Sequence, residues 1–344
     1  MPRYKEALIE EIGAFSPLCR DRKVDTIYFG GGTPSIFEIS CFRQVFNALR
    51  ASFQVEDGAE ITIEANPATV SAQTLRAYRE TGINRISFGV QSANDELLKK
   101  IGRLHSYAEA CASVRLAASE GFENISADLI YGLPGQTLQD FLDDIEKVAE
   151  LPVAHISAYG LKIEENTPFG RDQTLILPNE DEVCEMYLQG VESLKDKGFI
   201  QYEISNFAKP GYESRHNLKY WRREEYLGFG PAAHSFFDGM RFAVKPDLDA
   251  FLAEKDFSLD SEIYTEKRYI DGREAYEERV MLGLRTRDGI PLDVLYDAAS
   301  DKTRLKSYLD LLYGSRYAEE GAVLRLTPKG MLISNSIISD LLTI

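Results

Sequence analysis

Cysteine is scarce in this 344-residue chain, and its four cysteines stand far apart at Cys19, Cys41, Cys111 and Cys184. Neither a CxxC nor a CxxxCxxC spacing occurs anywhere. The spacing therefore excludes a zinc or iron–sulfur site built from one local motif, and it is typical of small, reduced, mostly buried cysteines. We assign no metal ligands from the sequence.

Positive charge and long apolar runs are also in short supply. The chain has 39 Lys and Arg against 55 Asp and Glu, a net charge of −16 and a pI near 4.9. This balance argues against nucleic acid as a partner and against broad contact with anionic lipid. We find no run long enough to span a membrane and no signal peptide, since the first residues resemble a charged helix. We expect a cytoplasmic protein; a homodimer and peripheral membrane association stay open.

Strand-like and helix-like runs alternate from the start of the chain to about residue 210. The predicted strands are Thr26–Phe29, Glu60–Glu64, Arg85–Val90, Ile125–Ile130, His155–Leu161 and Gln201–Ser205. The predicted helices are Ile36–Phe53, Ser71–Thr81, Asn94–Lys100, Tyr107–Glu120, Thr137–Glu150 and Glu180–Lys197, with cap-like Ser71 and Asn179. Repeated βα units predict an α/β fold with a parallel sheet, either open or closed into a barrel.

The pattern changes after residue 210. A loop-rich stretch is followed by a part in which we expect helices to dominate. The chain then ends with helical Leu292–Ala298 and Lys302–Tyr313, a hairpin-like AVLRLT and a helix from Lys329. Helix, helix, β-wing and helix in this order resemble a winged-helix module. DNA is an improbable partner for it in so acidic a chain.

Polar residues follow nearly every predicted strand. They are Thr33, Glu64, Asn66, Gln91, Ser92, Asp128, Tyr159, Glu203, Ser205 and Asn206. In a (β/α) barrel the carboxyl ends of the strands form the active-site face, so this pattern predicts one shared ligand site. The run YFGGGTPS, Tyr28–Ser35, adds three consecutive glycines that let backbone N–H groups approach a ligand. Taken alone, such a loop binds an anion or is merely a tight turn.

Eight motifs in order make the chain resemble a known family. They are YFGGGTPS, IEANP, RISFGVQSANDELLKKIGR, ISADLIYGLPGQT, HISAYGLKIEENTPF, EISNFAKPG, HNLKYW and GFGPAAHS. The chain resembles the radical S-adenosylmethionine (SAM) enzymes related to oxygen-independent coproporphyrinogen III oxidase, and within them the HemW-type heme chaperones. The resemblance implies a partial (β/α)6 TIM-like barrel without its first strand at residues 1–210. It further implies a connecting segment at 211–270 and a helical, winged-helix-like domain at 271–344.

The resemblance also implies a SAM pocket. Its residues would be Gly31, Gly32, Thr33, Glu64, Gln91, Arg103, Asp128 and Gly160. The glycine loop would hold the amino end of the methionine part, and Glu64 would accept from the ribose hydroxyls or the ammonium group. Arg103 would donate to the carboxylate. Asp128 would accept from the ribose, although a loop cap is the simpler interpretation of that residue alone.

The HNLKYW segment is the second signal. An imidazole beside flat apolar side chains suits axial ligation of heme, while a core-packed histidine is the plainer alternative. The resemblance favours heme contact by His216, Tyr220 and Trp221, with His234 as a weaker second candidate. His105 and His155 are expected to be structural.

The chain departs from the family at its beginning. Family members carry a first strand ending in YxHxPFCxxxCxxC, whose thiolates hold a [4Fe–4S] cluster. Here PRYKEALIEEI matches the helix after that loop, and Cys19 cannot replace the ligands. We expect no cluster and no SAM cleavage by this chain as written, and a free edge on the Thr26–Phe29 strand. A misplaced start codon or a truncated gene is the expected cause.

Three functional hypotheses follow. The first is an N-terminally shortened HemW-type heme chaperone that binds heme and SAM and delivers heme to client hemoproteins. The second is the coproporphyrinogen III oxidase reaction, against which HNLKYW argues. The third is a degenerate, cluster-free binding protein. We assign no catalytic residue, and the sequence leaves open whether the chain is an enzyme.

Overall fold

The structure is a computed structural model that describes residues 2–164, 167–172, 174–319 and 322–344. The helices α1–α15 are Pro2–Phe15, Ile39–Ser52, Ala72–Thr81, Asp95–Lys100, Tyr107–Ser119, Leu138–Ala149, Pro168–Arg171, Glu180–Asp196, Arg215–Trp221, Leu248–Ala253, Gly272–Gly283, Leu292–Ala298, Lys302–Leu312, Pro328–Leu332 and Ser334–Leu342. The strands β1–β13 are Lys23–Phe29, Gln54–Ala65, Arg85–Gln91, Asn124–Tyr131, His155–Gly160, Ile200–Glu203, Asn206–Ala208, His234–Phe237, Met240–Val244, Tyr264–Tyr269, Ile290–Pro291, Tyr317–Glu319 and Val323–Leu326. Glu165 and Asn166 of the HISAYGLKIEENTPF motif lie outside the described residues.

A seven-stranded sheet in the order β1-β2-β3-β4-β5-β7-β6 forms the half-barrel. The first five strands run parallel, as the alternation of strands and helices predicts. Side chains alternate between the two faces of a strand. Ile63, Phe88 and Leu129 belong to the apolar face, where they pack with helix residues such as Phe46 and Phe141 in the main core. The other face is polar.

The helices begin where the sequence supplies cap residues. The Ser71 side chain accepts from the Thr74 amide at the start of α3, and Asn179 and Glu182 form a reciprocal capping box at α8. Both predicted caps are thereby confirmed. A capping side chain satisfies amides that the first helical turn leaves without partners. These two caps fix the residues at which helices α3 and α8 begin.

The sixth predicted strand, Gln201–Ser205, differs from expectation. The chain forms β6, turns at Ile204 and Ser205, and returns as β7, which pairs antiparallel with β5. The prediction of a uniformly parallel sheet is wrong at this end. Two antiparallel strands need only a short turn, whereas a parallel neighbour requires a long crossover. The turn brings Glu203, Ser205 and Asn206 to the same edge as the carboxyl end of β5.

β1 lies at the other end of the sheet. It pairs with β2 alone, from Lys23 opposite Gln54 to Phe29 opposite Ile63, and among the described residues no strand covers its second edge. Helices α1 and α2 pack on the apolar side of β1, where Ile12 and Val45 are buried.

The connecting segment contains more strand than predicted. β8, β9 and β10 form an antiparallel sheet, so the expectation that helices dominate after the loop-rich stretch Lys209–Gly239 is wrong there. Its core includes α1, because Phe15 stacks on Phe242 at 6.0 Å and meets Tyr264 edge-on at 5.7 Å. α1 therefore joins the half-barrel to this second sheet.

The C-terminal part has the predicted order of helix, helix, β-wing and helix. α12 and α13 precede the hairpin of β12 and β13, and α14 and α15 follow it. A bridge between Glu203 and Thr286 ties the segment after α11 to the outer edge of the half-barrel. In the part of the chain that the structure describes, no helix is long and apolar enough to cross a membrane.

Candidate functional site

The glycine loop begins where β1 ends. Gly31 and Gly32 have φ values of 81° and 64°, in the left-handed region that favours glycine. A Cβ added at either position would meet nothing within 4 Å, so the space beside this loop is open. At Gly30 a Cβ would lie 2.6 Å from the Tyr28 ring and 3.1 Å from Glu64 Oε1. The loop is therefore packed tightly on one side and open on the other.

Glu64, near the end of β2, holds this loop in place. Its Oε2 accepts from the Gly31 amide at 3.2 Å, and its Oε1 accepts from the Tyr28 hydroxyl at 2.7 Å. Burial first, and the nearby Glu64 charge second, raise the pKa of Tyr28, which keeps it a proton donor. A carboxylate has about four lone-pair positions, so Glu64 retains capacity for a ligand hydroxyl or ammonium group.

Gln91 ends β3 with a strained backbone. Its φ of 70° is unusual for a residue other than glycine, and such strain persists where the surrounding structure enforces it, often at functional sites. Its Oε1 accepts from the Tyr159 hydroxyl at 3.3 Å. A Cβ at Gly89 would lie 2.6 Å from Gln91 Nε2 and 4.0 Å from an Arg103 Nη atom. Gln91 and Arg103 thus converge on Gly89.

Asp128 lies on the polar face of β4. Ser87 Oγ donates to its carboxylate at 3.1 Å, and burial raises its pKa to about 6 despite hydrogen bonds from Ser157 and Ser87. At neutral pH it is therefore mostly ionised and accepts hydrogen bonds. Gly160 ends β5, where a Cβ would lie 3.2 Å from the Tyr131 ring.

Tyr159 shows that these groups share one region. Burial raises its pKa to about 12, and Asp128, Arg103 and Glu64 each act electrostatically on the same phenol. The structure therefore brings the predicted residues of the SAM pocket to one sheet edge. Thr33 lies at the loop exit, where its backbone carbonyl accepts from the Ile36 amide at 3.1 Å.

Helix α9 carries the HNLKYW motif and is tied to β2 by a buried carboxylate. Glu60 accepts from Ser214 Oγ at 3.4 Å, from the Arg215 amide at 3.1 Å and from the His216 amide at 2.9 Å. Ser214 also caps the helix through the Asn217 amide. Glu60 was not predicted as a site residue, although its place on the polar face of β2, four residues before Glu64, was a usable signal.

His216 lies against the polar face of β1. Its Nδ1 bonds Thr26 Oγ1 at 2.8 Å, its Nε2 bonds the Tyr220 hydroxyl at 2.9 Å, and its ring stacks on Tyr28 with 5.0 Å between centroids and 21° between planes. Burial first, and then the positive charge of Lys219, lower its pKa to about 4. A neutral imidazole with an orienting partner is the form that binds metals.

Two residues that contact His216 were not expected from the sequence. Thr26 and Tyr28 were missed as site residues, although both precede Gly30 at the two-residue spacing that places side chains on one face of a strand.

The prediction that His105 and His155 are structural is confirmed. His155 bonds Ser126 Oγ and the Tyr202 hydroxyl at 2.8 Å each, and His105 is 2% exposed.

One groove, here called the β1 groove, runs along the free side of β1 and has a volume of about 1670 Å³. It is bounded by the glycine loop at Gly30, Gly31 and Thr33 and by α9 at His216 and Tyr220. Apolar side chains of α1 and α2 form much of its floor. The half-buried Trp221 and the exposed His234 are not among its lining residues, so the structure does not bring them to His216 there.

Comparison with known proteins decides the family. Residues 1–148 match the radical SAM superfamily. The heme chaperone HemW of Lactococcus lactis is 35% identical over 98% of this chain and 89% of that protein. HemW of Bacillus subtilis is 38% identical over 91% of this chain and 84% of that protein. The chain belongs to the HemW heme-chaperone family.

A solved structure confirms the fold expected of a HemW-family chain. Coproporphyrinogen III oxidase (HemN) from Escherichia coli, a radical SAM enzyme, superposes with a TM-score of 0.81 at 23% identity, covering 99% of this chain and 83% of that one. At this identity the likeness shows the fold alone. The half-barrel with appended helices is thus the radical SAM architecture.

The four cysteines do not fit a [4Fe–4S] cluster in this HemW-family chain. Cys19 is buried in the connection between α1 and β1, and burial raises the pKa of its thiol. Cys41, Cys111 and Cys184 lie on three different helices, α2, α5 and α8. Over the described ranges no three His, Cys, Asp or Glu side chains form a group that could hold a metal ion. We derive no step through a cluster.

Proposed function

We propose that this chain binds heme in the β1 groove, binds SAM at the glycine loop, and delivers heme to client hemoproteins. One observation carries the proposal: the HNLKYW helix places His216 against β1, with its ring stacked on Tyr28 at 5.0 Å between centroids, two residues before the glycine loop. Ligand pockets are usually apolar clefts with a few convergent polar groups, and this groove has that character.

The heme ligand in this proposal is the Nε2 atom of His216. The bond from Nδ1 to Thr26 fixes the ring orientation, as second partners of metal-bound histidines do. Nε2 is held by Tyr220, whose side chain is at the surface with the residue 41% exposed. A hydroxyl at the surface can move aside at little cost, since water replaces the lost hydrogen bond. Tyr28 and Tyr220 then supply flat surfaces against the porphyrin.

The residues of the SAM pocket fit a nucleoside with an amino-acid tail. The open cradle at Gly31 and Gly32 suits the methionine end, Glu64 and Asp128 accept from ribose hydroxyls or the ammonium group, and Arg103 donates to the carboxylate. The roles proposed for this chain are binding and orientation.

Heme titration of the purified chain tests the proposal. We expect a Soret band that saturates with one heme per chain, and a shifted and weakened band for His216→Ala. His234→Ala is the matched histidine control and should leave the band unchanged, because His234 does not line the groove. An unchanged band in His216→Ala would show that another residue binds the iron.

Three lesser parts of the proposal stay predictions from the sequence. They are a cytoplasmic location, a homodimer and peripheral membrane association. Cell fractionation, light scattering of the purified chain, and sedimentation with vesicles would test them in that order. The oxidase alternative has no structural observation in its favour, since the likeness to that enzyme at 23% identity concerns the fold.

A further inference from the structure

Tyr28 is in contact with both proposed ligand sites. Its hydroxyl donates to Glu64 Oε1 at 2.7 Å, and its ring stacks on His216 with 5.0 Å between centroids. Glu64 belongs to the SAM pocket and His216 to the heme site. The same ring also fills the space beside Gly30, where a Cβ would lie 2.6 Å from it. Tyr28 therefore cannot move without affecting the glycine loop, Glu64 and His216 together.

We infer that Tyr28 couples the two sites, so that SAM bound at Glu64 strengthens heme binding at His216. This inference rests on the proposed function. Tyr28 donates to one oxygen of Glu64, and the two nitrogens of His216 bond Thr26 and Tyr220. Tyr28 thus links the carboxylate proposed for SAM to the imidazole proposed for heme.

The coupling acts through the charge of Glu64. A ligand ammonium group bound at this carboxylate weakens the Tyr28–Glu64 hydrogen bond, because a bond to a carboxylate is strong only while its negative charge is not shared with a cation. The phenol ring can then leave its stacked position, which makes room for the porphyrin beside His216 once the Tyr220 hydroxyl moves away from Nε2. A ligand shifts such an equilibrium only through its differential affinity for two arrangements, and here that difference is the Tyr28–Glu64 hydrogen bond.

The effect must be reciprocal, since coupling between two binding sites is a shared free energy. Couplings of this kind are typically about 5-fold to 150-fold in affinity. The arrangements with and without SAM differ here by one hydrogen bond, that between Tyr28 and Glu64. We therefore expect a change in affinity at the lower end of this range, about fivefold. Heme should tighten SAM binding by the same factor.

Titrations on the full chain test this inference. Heme is titrated with and without saturating SAM, and SAM is titrated by calorimetry with and without heme. The wild-type chain should show about fivefold tighter heme binding with SAM. Tyr28→Phe keeps the ring but removes the hydroxyl. In this variant the heme affinities measured with and without SAM should agree within about twofold, while each ligand still binds alone.

Tyr226→Phe is the matched control. Tyr226 packs edge-on against Tyr220 at 4.6 Å, and among the described residues it makes no hydrogen bond or ring contact with Glu64 or His216. Tyr226→Phe should keep the full wild-type effect of SAM on heme affinity. If both ligands bind but the wild-type ratio is unity, or if Tyr28→Phe keeps a fivefold ratio, the inference is wrong and the proposed function stands. If heme or SAM does not bind at all, the proposed function fails with it.

Discussion

Replacement of Glu60 by alanine should loosen helix α9 and with it the proposed heme site. The carboxylate is 6% exposed and accepts three hydrogen bonds at the start of the helix, from Ser214 Oγ, Arg215 N and His216 N. A hydrogen bond to a charged group contributes about 1.5–3 kcal/mol. The 3.4 Å contact with Ser214 is weak, and water can reach part of the freed helix end. We therefore expect the free energy of unfolding to fall by about 3 kcal/mol.

Urea denaturation followed by tryptophan fluorescence measures this effect directly. The chain has one tryptophan, Trp221, and it is the last residue of α9. In Glu60→Ala the emission of Trp221 should shift to the red even before unfolding, because the helix is no longer fixed to β2. Glu60→Gln keeps one acceptor oxygen and should fall between the alanine variant and the wild type.

Glu56→Ala is the matched control on the same strand. Glu56 is exposed and pairs with Lys23 at 3.7 Å, and exposed ion pairs contribute about 0–1 kcal/mol. Its midpoint should stay close to that of the wild type. The reasoning would be refuted if Glu60→Ala lost no more stability than Glu56→Ala and left the Trp221 emission unchanged.

Two further predictions concern stability. Gly30→Ala should lower the free energy of unfolding by about 1–3 kcal/mol, because the new Cβ would lie 2.6 Å from the Tyr28 ring, whereas Gly32→Ala has free space and should lose only about 1 kcal/mol from its φ of 64°. Thermal denaturation of both variants measures these losses, and a larger loss in Gly32→Ala than in Gly30→Ala would contradict the prediction. Burial raises the pKa of Glu11 from 4.5 to about 7, so the protonated carboxyl stabilises the fold fully below about pH 4.5, and that stability is lost as the pH rises through 7. Glu11→Gln cannot ionise and should remove up to about 3 kcal/mol of this pH dependence between pH 5 and 8, as measured by denaturation at each pH; parallel profiles for the two proteins would count against it.

The half-barrel strands and the glycine loop could be predicted because their signals are local. β1 to β5 are short runs that alternate with helices, and polar residues such as Glu64 and Gln91 end them. Since the carboxyl ends of parallel strands meet at one edge, sequence order alone was enough to group these residues.

Other features depend on contacts that no local pattern shows. The β6–β7 hairpin turns at Ile204 and Ser205 without the Asn-Gly or Gly signals that mark short hairpins. The bond between His216 and Thr26 joins residues 190 positions apart, and that between His216 and Glu60 spans 156. HNLKYW identified a candidate heme ligand, but its place against β1 and Tyr28 required the structure.

A crystal structure of the heme-bound chain, with the iron located by its anomalous scattering, tests the central claim most directly. The account predicts an iron peak within bonding distance of His216 Nε2, with the porphyrin in the β1 groove and the Tyr220 hydroxyl displaced from that nitrogen. An iron peak outside the groove, or one bonded to a different residue while Tyr220 still contacts His216, would contradict it.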